Sequence, residues 1–196
     1  MSLTFATSER PSQSGATRRN KHKRKMKPIV SIIMGSTSDL PVIEPALNFL
    51  EQQEIPFEVN ALSAHRTPHQ VLSFAEAAAG RGIKVIIAAA GGAAHLPGVI
   101  AAATTLPVVG VPVKASISMD GWDSMLSMIQ MPPGIPVATV GLNAAQNAAI
   151  LALQIIGTGD AEVAKKVATY KAGLEKKIEK ANADLAQRKD WKFKTN

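Results

Sequence analysis

The chain has 196 residues, 46% of them hydrophobic and 4% aromatic, and it contains no cysteine. Such a length holds one domain with appendages, and the missing cysteines exclude disulfides, thiolate catalysis and cysteine-based metal sites. The net charge is +7, but residues 1–27 carry eight Lys/Arg against one Glu while the remainder carries fourteen of each sign, so the basic character belongs to the amino-terminal stretch alone.

That stretch, with its run Arg18-Arg19-Asn20-Lys21-His22-Lys23-Arg24-Lys25, reads as a solvated, disordered tail over residues 1–27. Basic runs of this kind also bind nucleic acid or anionic surfaces. Met26 stands just ahead of the first apolar run as a candidate start, and the tail lacks the apolar face of a transit peptide. No uncharged apolar run approaches the roughly 18 residues of a spanning helix, so the expectation is a cytoplasmic protein.

From Pro28 onward, strand-like and helix-like segments alternate. Ile29 to Met34 is a continuous apolar run, the pattern of a strand buried on both faces. Asp39 and Pro41 then open a helix through Leu47, Phe49 and Leu50 as cap and early proline. Pro56 leads into a strand over Phe57 to Leu62, and Thr67-Pro68 opens a helix burying Val71, Leu72, Phe74, Ala75 and Ala78 before Gly80-Arg81-Gly82 stops it. Ile83 to Ala89 is a third strand, Pro97 begins a short Ala-rich helix, and Pro107 to Pro112 is a fourth strand. Gly121 to Gln130 reads as helix, Ile135 to Val140 as a fifth strand, and Asn143 to Ile156 as a helix ended by Gly157.

Five such units in succession predict a doubly wound, three-layer α/β/α domain over residues 28–160, with a parallel sheet covered on both faces. The remaining segment, 161–190, is an added carboxy-terminal helix. It repeats Val163, Val167, Tyr170, Leu174, Ile178, Ala181 and Leu185 on one face, a stripe that needs a partner surface. Its own domain can supply that surface, and a neighbouring subunit is the preferred reading. Residues 28–160 hold four Lys/Arg and nine Asp/Glu. That charge cover is sparse for a lone domain and also points to a homo-oligomer.

Three polar loops follow the first three strands: Gly35-Ser36-Thr37-Ser38-Asp39, Ser63-Ala64-His65-Arg66-Thr67-Pro68 and Gly91-Gly92-Ala93-Ala94-His95-Leu96-Pro97-Gly98. If those strands are neighbours, the loops share the sheet edge where small-molecule sites form in open α/β folds. In the first loop Gly35 permits close approach to a ligand, Ser36 and Ser38 offer hydroxyls, and the following helix start favours an anion. Asp39 is either the helix cap or an acceptor for ribose hydroxyls. In the second, His65 is the side chain that exchanges a proton near neutrality with little tuning, and the planar fork of Arg66 suits phosphate. Arg66 beside His65 favours catalysis over a merely structural histidine. In the third, the near absence of side chains over Gly91, Gly92, Ala93 and Ala94 lets a planar ring lie against backbone or lets the turn pack tightly on the sheet. His95 either touches substrate or supports the loop, the second being preferred. His69, within a helix, and His22, in the tail, read as surface residues.

The chain has no G-x-x-x-x-G-K-[ST] loop, no G-x-G-x-x-G after the first strand and no H-E-x-x-H, so ATP, dinucleotide and metal have no motif support. The third strand ends in Ala-Ala-Gly-Gly rather than an acidic phosphoacceptor.

Taken together, the three loops closely resemble those of the 5-(carboxyamino)imidazole ribonucleotide mutases of bacterial-type purine synthesis. Gly110-Val111-Pro112-Val113, Asp123-Ser124-Met125-Leu126-Ser127, Gln130-Met131-Pro132 and Pro136-Val137-Ala138-Thr139-Val140 match as well. The resemblance runs over residues 28 to 160. It implies a flavodoxin-like subunit in a homo-octamer with shared sites, and an isomerase that moves a carboxylate from an exocyclic nitrogen to carbon 4 of an imidazole ribonucleotide. It implies no metal and no cofactor, and functional coupling to the ATP-dependent synthetase that makes the substrate. The catalytic histidine falls on His65, acting as general acid and base. The substrate-contacting serine, aspartate and arginine fall on Ser36, Asp39 and Arg66, with Ser38, Ser63, His95 and the Gly91-Gly92-Ala93 segment completing the phosphate and ring environment. Lys114, Asp120, Trp122 and Asn143-Ala144 depart from the family pattern, and the tail is unmatched. The nearest rival is a carboxylase that takes carbon dioxide directly. Remoter ones are a noncatalytic nucleotide- or flavin-binding module and a nucleic-acid binder acting through the tail.

Overall fold

The computed structural model describes residues 27–188 and 190. The basic run at 18–25 and His22 lie outside the described residues. Five strands, β1 (Val30–Met34), β2 (Phe57–Ala61), β3 (Val85–Gly91), β4 (Val108–Val113) and β5 (Ala138–Thr139), form one sheet in the order β2-β1-β3-β4-β5. Every pairing is parallel, with Ile32 opposite both Val59 and Ile87. Parallel neighbours need crossovers, and six helices flank or follow the strands: α1 (Leu40–Gln52), α2 (Pro68–Arg81), α3 (Leu96–Ala102), α4 (Trp122–Ile129), α5 (Ala145–Gly157) and α6 (Ala161–Ala186).

The core divides as the period-2 geometry of a strand requires. Ile32, Ile87, Val109 and their alternates face α1 and α5, where Ile43, Leu50, Ala149 and Leu153 meet them. Ile33, Ile86, Ala88 and Val108 face the other way, onto Val71 and Ala75 of α2, Leu96 and Ile100 of α3, and Met128 of α4. With β1 and β4 buried along their whole length and β3 buried up to Ala90, the molecule is the three-layer α/β/α fold that the alternating pattern predicts, of the flavodoxin-like kind that the resemblance implies.

Two expectations need correction. The fifth strand covers Ala138–Thr139 rather than Ile135–Val140. Ile135 is still closing a turn on Pro132, and Pro136 has no amide hydrogen to give a ladder. In α2, Val71, Ala75 and Ala78 are buried, but Leu72 belongs to the exposed face. Helix α6 begins on its own domain. Asp160 caps it by accepting from the amides of Glu162 and Val163, Val163 and Val167 join the α1–α5 core, and Tyr170 packs edge-on against Phe49 at 4.9 Å. Lys166 donates to the carbonyl of Gln53 at 2.6 Å, close to the carboxy-terminal end of α1. Beyond Tyr170 the stripe is uncovered, with Leu174, Ile178 and Leu185 exposed.

Candidate active site

The chain leaves β1 for helix α1 on one face of the sheet and leaves β3 for α3 on the other. In open sheets the crevice at such a switch point, outside the carboxyl ends of the strands, takes the ligand. A cleft of about 380 Å³ lies there, and all three polar loops contribute to its walls.

From the first loop come Gly35, Ser36, Ser38 and Asp39. Ser36 caps a single 3-10 turn, Thr37–Asp39, by accepting from the Ser38 amide at 3.3 Å. Asp39 therefore does not serve as a helix cap: its backbone is helical and its carboxylate makes no cap bond. It is instead buried at the cleft wall, 6% exposed, with the Ser38 hydroxyl 3.4 Å away. Burial raises the Asp39 pKa above the ordinary carboxylate value, and bonds from the Ser36 backbone and the Ser38 side chain offset part of that rise. The carboxylate is thus buried at the cleft wall without a cap bond to α1.

The second loop is held by its own hydroxyls. Thr67 accepts from the Ser63 amide at 3.0 Å and donates to the Ser63 carbonyl at 3.2 Å. The Ser63 hydroxyl accepts from the amide and Nε of Arg66 at 3.2 and 3.3 Å. Arg66 then reaches across to donate through Nη2 to the Gly35 carbonyl at 2.9 Å, tying the second loop to the first. A guanidinium has five N–H donors, so these two side-chain bonds leave the fork able to receive an anion beside the hydroxyls of Ser36, Ser38 and Ser63.

The third loop turns back at once after β3. The Ala94 amide closes a turn on the Gly91 carbonyl, with Gly92 and Ala94 both left-handed at φ +62° and +51°. This turn delivers His95 to the start of α3, where Nδ1 lies 2.8 Å from Nε2 of His65 with the rings edge to face. One proton lies between the two facing nitrogens, since a second would set N–H against N–H. The tautomer of each ring is thereby coupled to that of the other.

Of the residues singled out, Ser36, Ser38, Asp39, Ser63, His65, Arg66, Gly91 and His95 line the one cleft. Gly92 and Ala93 do not. The Gly92 amide donates to Ser118 Oγ, and the Ala93 carbonyl accepts from Ser127 Oγ. Gly91 is small for a reason other than a ligand: a Cβ there would stand 2.6 Å from Ala115 Cβ and 2.9 Å from the Val113 carbonyl. A fourth segment, Ala115, Ser116 and Ile117 after β4, completes the wall. Its reactive content is a single serine, so residue chemistry does not flag it. Its position beside β3 in the strand order is the signal that finds it. His69 is exposed on α2, as expected. Among the described residues, no cluster of three His, Asp or Glu is disposed to hold a metal, and no helix is long and apolar enough to cross a membrane.

Comparison with known proteins gives the same picture from outside. The chain is 53% identical to an N5-carboxyaminoimidazole ribonucleotide mutase of Pyrococcus horikoshii, over 78% of this chain and 86% of that one. It is 52% identical to a phosphoribosylaminoimidazole carboxylase of Candida glabrata, over 81% of this chain but 28% of that much longer protein. Among solved structures, PurE of Treponema denticola superposes with a TM-score of 0.72 at 31% identity, covering 82% of this chain and 99% of that one. The family model described as AIR carboxylase matches residues 29–177. With its sheet, its loop-built cleft and the greater part of its length in that match, the chain belongs to the AIR carboxylase family.

Proposed function

We propose that the chain is the mutase that converts 5-(carboxyamino)imidazole ribonucleotide to 4-carboxy-5-aminoimidazole ribonucleotide in purine synthesis, with His65 as general acid and base. The observation that carries this reading is the 2.8 Å contact of His65 with His95 inside a cleft whose other polar groups come from Ser36, Ser38, Asp39, Ser63 and Arg66. Relatives with the mutase name, 53 and 54% identical over 86 and 88% of their lengths, support the reaction class.

In this mechanism Arg66 and the three serines hold the phosphate, Asp39 accepts from the ribose, and remote binding thus places the imidazole ring at His65. Protonated His65 gives its proton to the exocyclic nitrogen as the nitrogen–carbon bond breaks, and carbon dioxide is released. The ring carbon 4 then attacks carbon dioxide, and neutral His65 removes the proton from that carbon. His65 gives one proton to the nitrogen, where it stays as part of the amino group, and takes a different one from carbon 4, so it ends protonated as it began and one imidazole serves both half-reactions. Ala90, Gly91, Ala94, Leu96 and Ile117 are apolar members of the cleft wall, against which the neutral gas is held rather than hydrated. The chain works in this proposal as a cytoplasmic homo-octamer, fed by an ATP-dependent synthetase. The apolar side chains exposed on α4 and the second half of α6 support assembly.

The similar identity to fungal carboxylases, 60% over 134 residues for that of Ogataea methanolica, keeps direct carboxylation as the second reading. An absorbance assay for the ring-carboxylated product separates them. Wild type supplied with the carboxyamino ribonucleotide is expected to turn over rapidly, and His65→Asn to lose about 10²–10⁴-fold, the range for a general acid–base. Preference for aminoimidazole ribonucleotide with bicarbonate would replace the mutase by the carboxylase. Turnover of neither would end the enzyme assignment.

A further inference from the structure

The turn that delivers His95 is strained and held from outside. Ala94 carries a side chain at φ +51°, a conformation that L-residues rarely adopt without support. His95 makes no side-chain cap bond at the start of α3, so its ring takes its place from the turn and from His65. Two hydroxyls from the next βα unit engage the backbone of this turn. Ser118 Oγ accepts from the Gly92 amide at 3.2 Å and is itself fixed by the Ala115 amide at 3.1 Å and the Val113 carbonyl at 3.4 Å. Ser127 Oγ, on α4, donates to the Ala93 carbonyl at 2.7 Å.

We propose that Ser118 and Ser127 are positioning residues, a two-point clamp on the 91–92 and 93–94 peptides that sets the imidazole contact between His95 and His65 and thereby the rate of proton transfer. The inference rests on the reading of His65 as the acid and base. Ser127 is the stronger arm. Its bond is shorter, and it anchors the carbonyl of the residue before the left-handed Ala94, so its loss lets the 93–94 peptide rotate and carries His95 with it. The groups assigned to phosphate and ribose lie on the other two loops, and the clamp does not touch them. The clamp therefore acts chiefly on the chemical step and leaves the phosphate and ribose contacts of the other two loops in place. A hydroxyl at 127 is the requirement, and threonine supplies one.

The test uses the full chain in the carboxyamino ribonucleotide assay. Ser127→Ala is expected to lower kcat about tenfold or more, a misplacement of under an ångström being enough, with KM within about twofold of wild type. Ser127→Thr is expected to recover most of the loss, and Ser118→Ala to show a smaller fall of the same kind. Thermal melting of each variant, with kcat referred to folded enzyme, separates positioning from stability. Wild-type kcat in Ser127→Ala would overturn the proposal. So would a fall shared equally by kcat and the folded fraction, or a Ser127→Thr variant as impaired as the alanine. Full turnover by His65→Asn, measured alongside, would overturn the parent reading and the clamp with it. A dead His65→Asn beside a normal Ser127→Ala would remove the clamp alone.

Discussion

At the scale of single residues, the cleft shows that residue type marks a site more reliably than it marks a role. His65 and Arg66 were legible because each carries chemistry that a buried core does not use, and both stand in the cleft wall. Asp39 was legible as important but open as to why, because an aspartate before a proline-led helix is also a good cap. The geometry decides against the cap, since the Asp39 carboxylate makes no cap bond to α1 and is buried. A consequence for stability follows from the direction of its pKa, which burial raises above 3.8. Below 3.8 the group is protonated in both folded and unfolded chains and contributes nothing. As pH rises through the interval up to the folded pKa, the unfolded chain releases its proton first, so stability is lost, and the penalty persists at neutral pH. Asp39→Asn is therefore expected to melt higher than wild type at pH 7, with the difference shrinking as pH is lowered toward 4. Its kcat/KM should fall about ten- to a hundredfold, the value of one hydrogen bond to a charged acceptor. A variant that is both less stable at pH 7 and fully active would contradict the assignment.

At the scale of elements, long apolar runs and helices with clear stops were read correctly from pattern, and the failures have local causes. The fifth strand is shorter than the apolar stretch from Ile135 to Val140 suggests, because Pro136 removes a donor that pairing needs. The fourth cleft segment was missed because apolar loop residues carry no chemical signature. Gly91 reads in sequence either as room for a ligand or as tight packing of the turn, and the packing is present: a Cβ there would meet Ala115 and the Val113 carbonyl. Gly91→Ala is accordingly expected to destabilise the fold by about 1–3 kcal/mol, the usual cost of forcing a methyl into a packed site, as measured by urea unfolding. Ala115→Gly in the same chain removes the 2.6 Å encounter but leaves the 2.9 Å approach to the Val113 carbonyl, so rescue should be partial. Wild-type stability in Gly91→Ala would show that the ends of β3 and β4 yield more easily than their register implies.

At the scale of the molecule, the feature that a lone subunit does not explain is its apolar surface. Trp122, Leu126 and Ile129 recur at i, i+4 and i+7 on α4, one face of one helix. All three are exposed, Trp122 at 68%. Ile117, 80% exposed, is a further apolar side chain on the segment between β4 and α4, and it lines the cleft. Contiguous apolar area of this kind marks an interaction surface, and the proposed octamer gives it an occupant, a second copy of the chain. The uncovered half of α6, with Leu174 and Ile178, is a separate candidate contact, and the two make different predictions. A charge at the centre of the α4 face should be intolerable once that face is buried. Trp122→Glu is thus expected to sediment as a smaller species than wild type while keeping its helical circular dichroism. Because the segment that leads into α4 also lines the cleft through Ile117, turnover should fall with assembly. Ile178→Glu tests the other contact in the same way. If Trp122→Glu remains fully assembled and Ile178→Glu does not, α6 rather than α4 holds the subunits together, and the α4 surface must then serve the cleft alone.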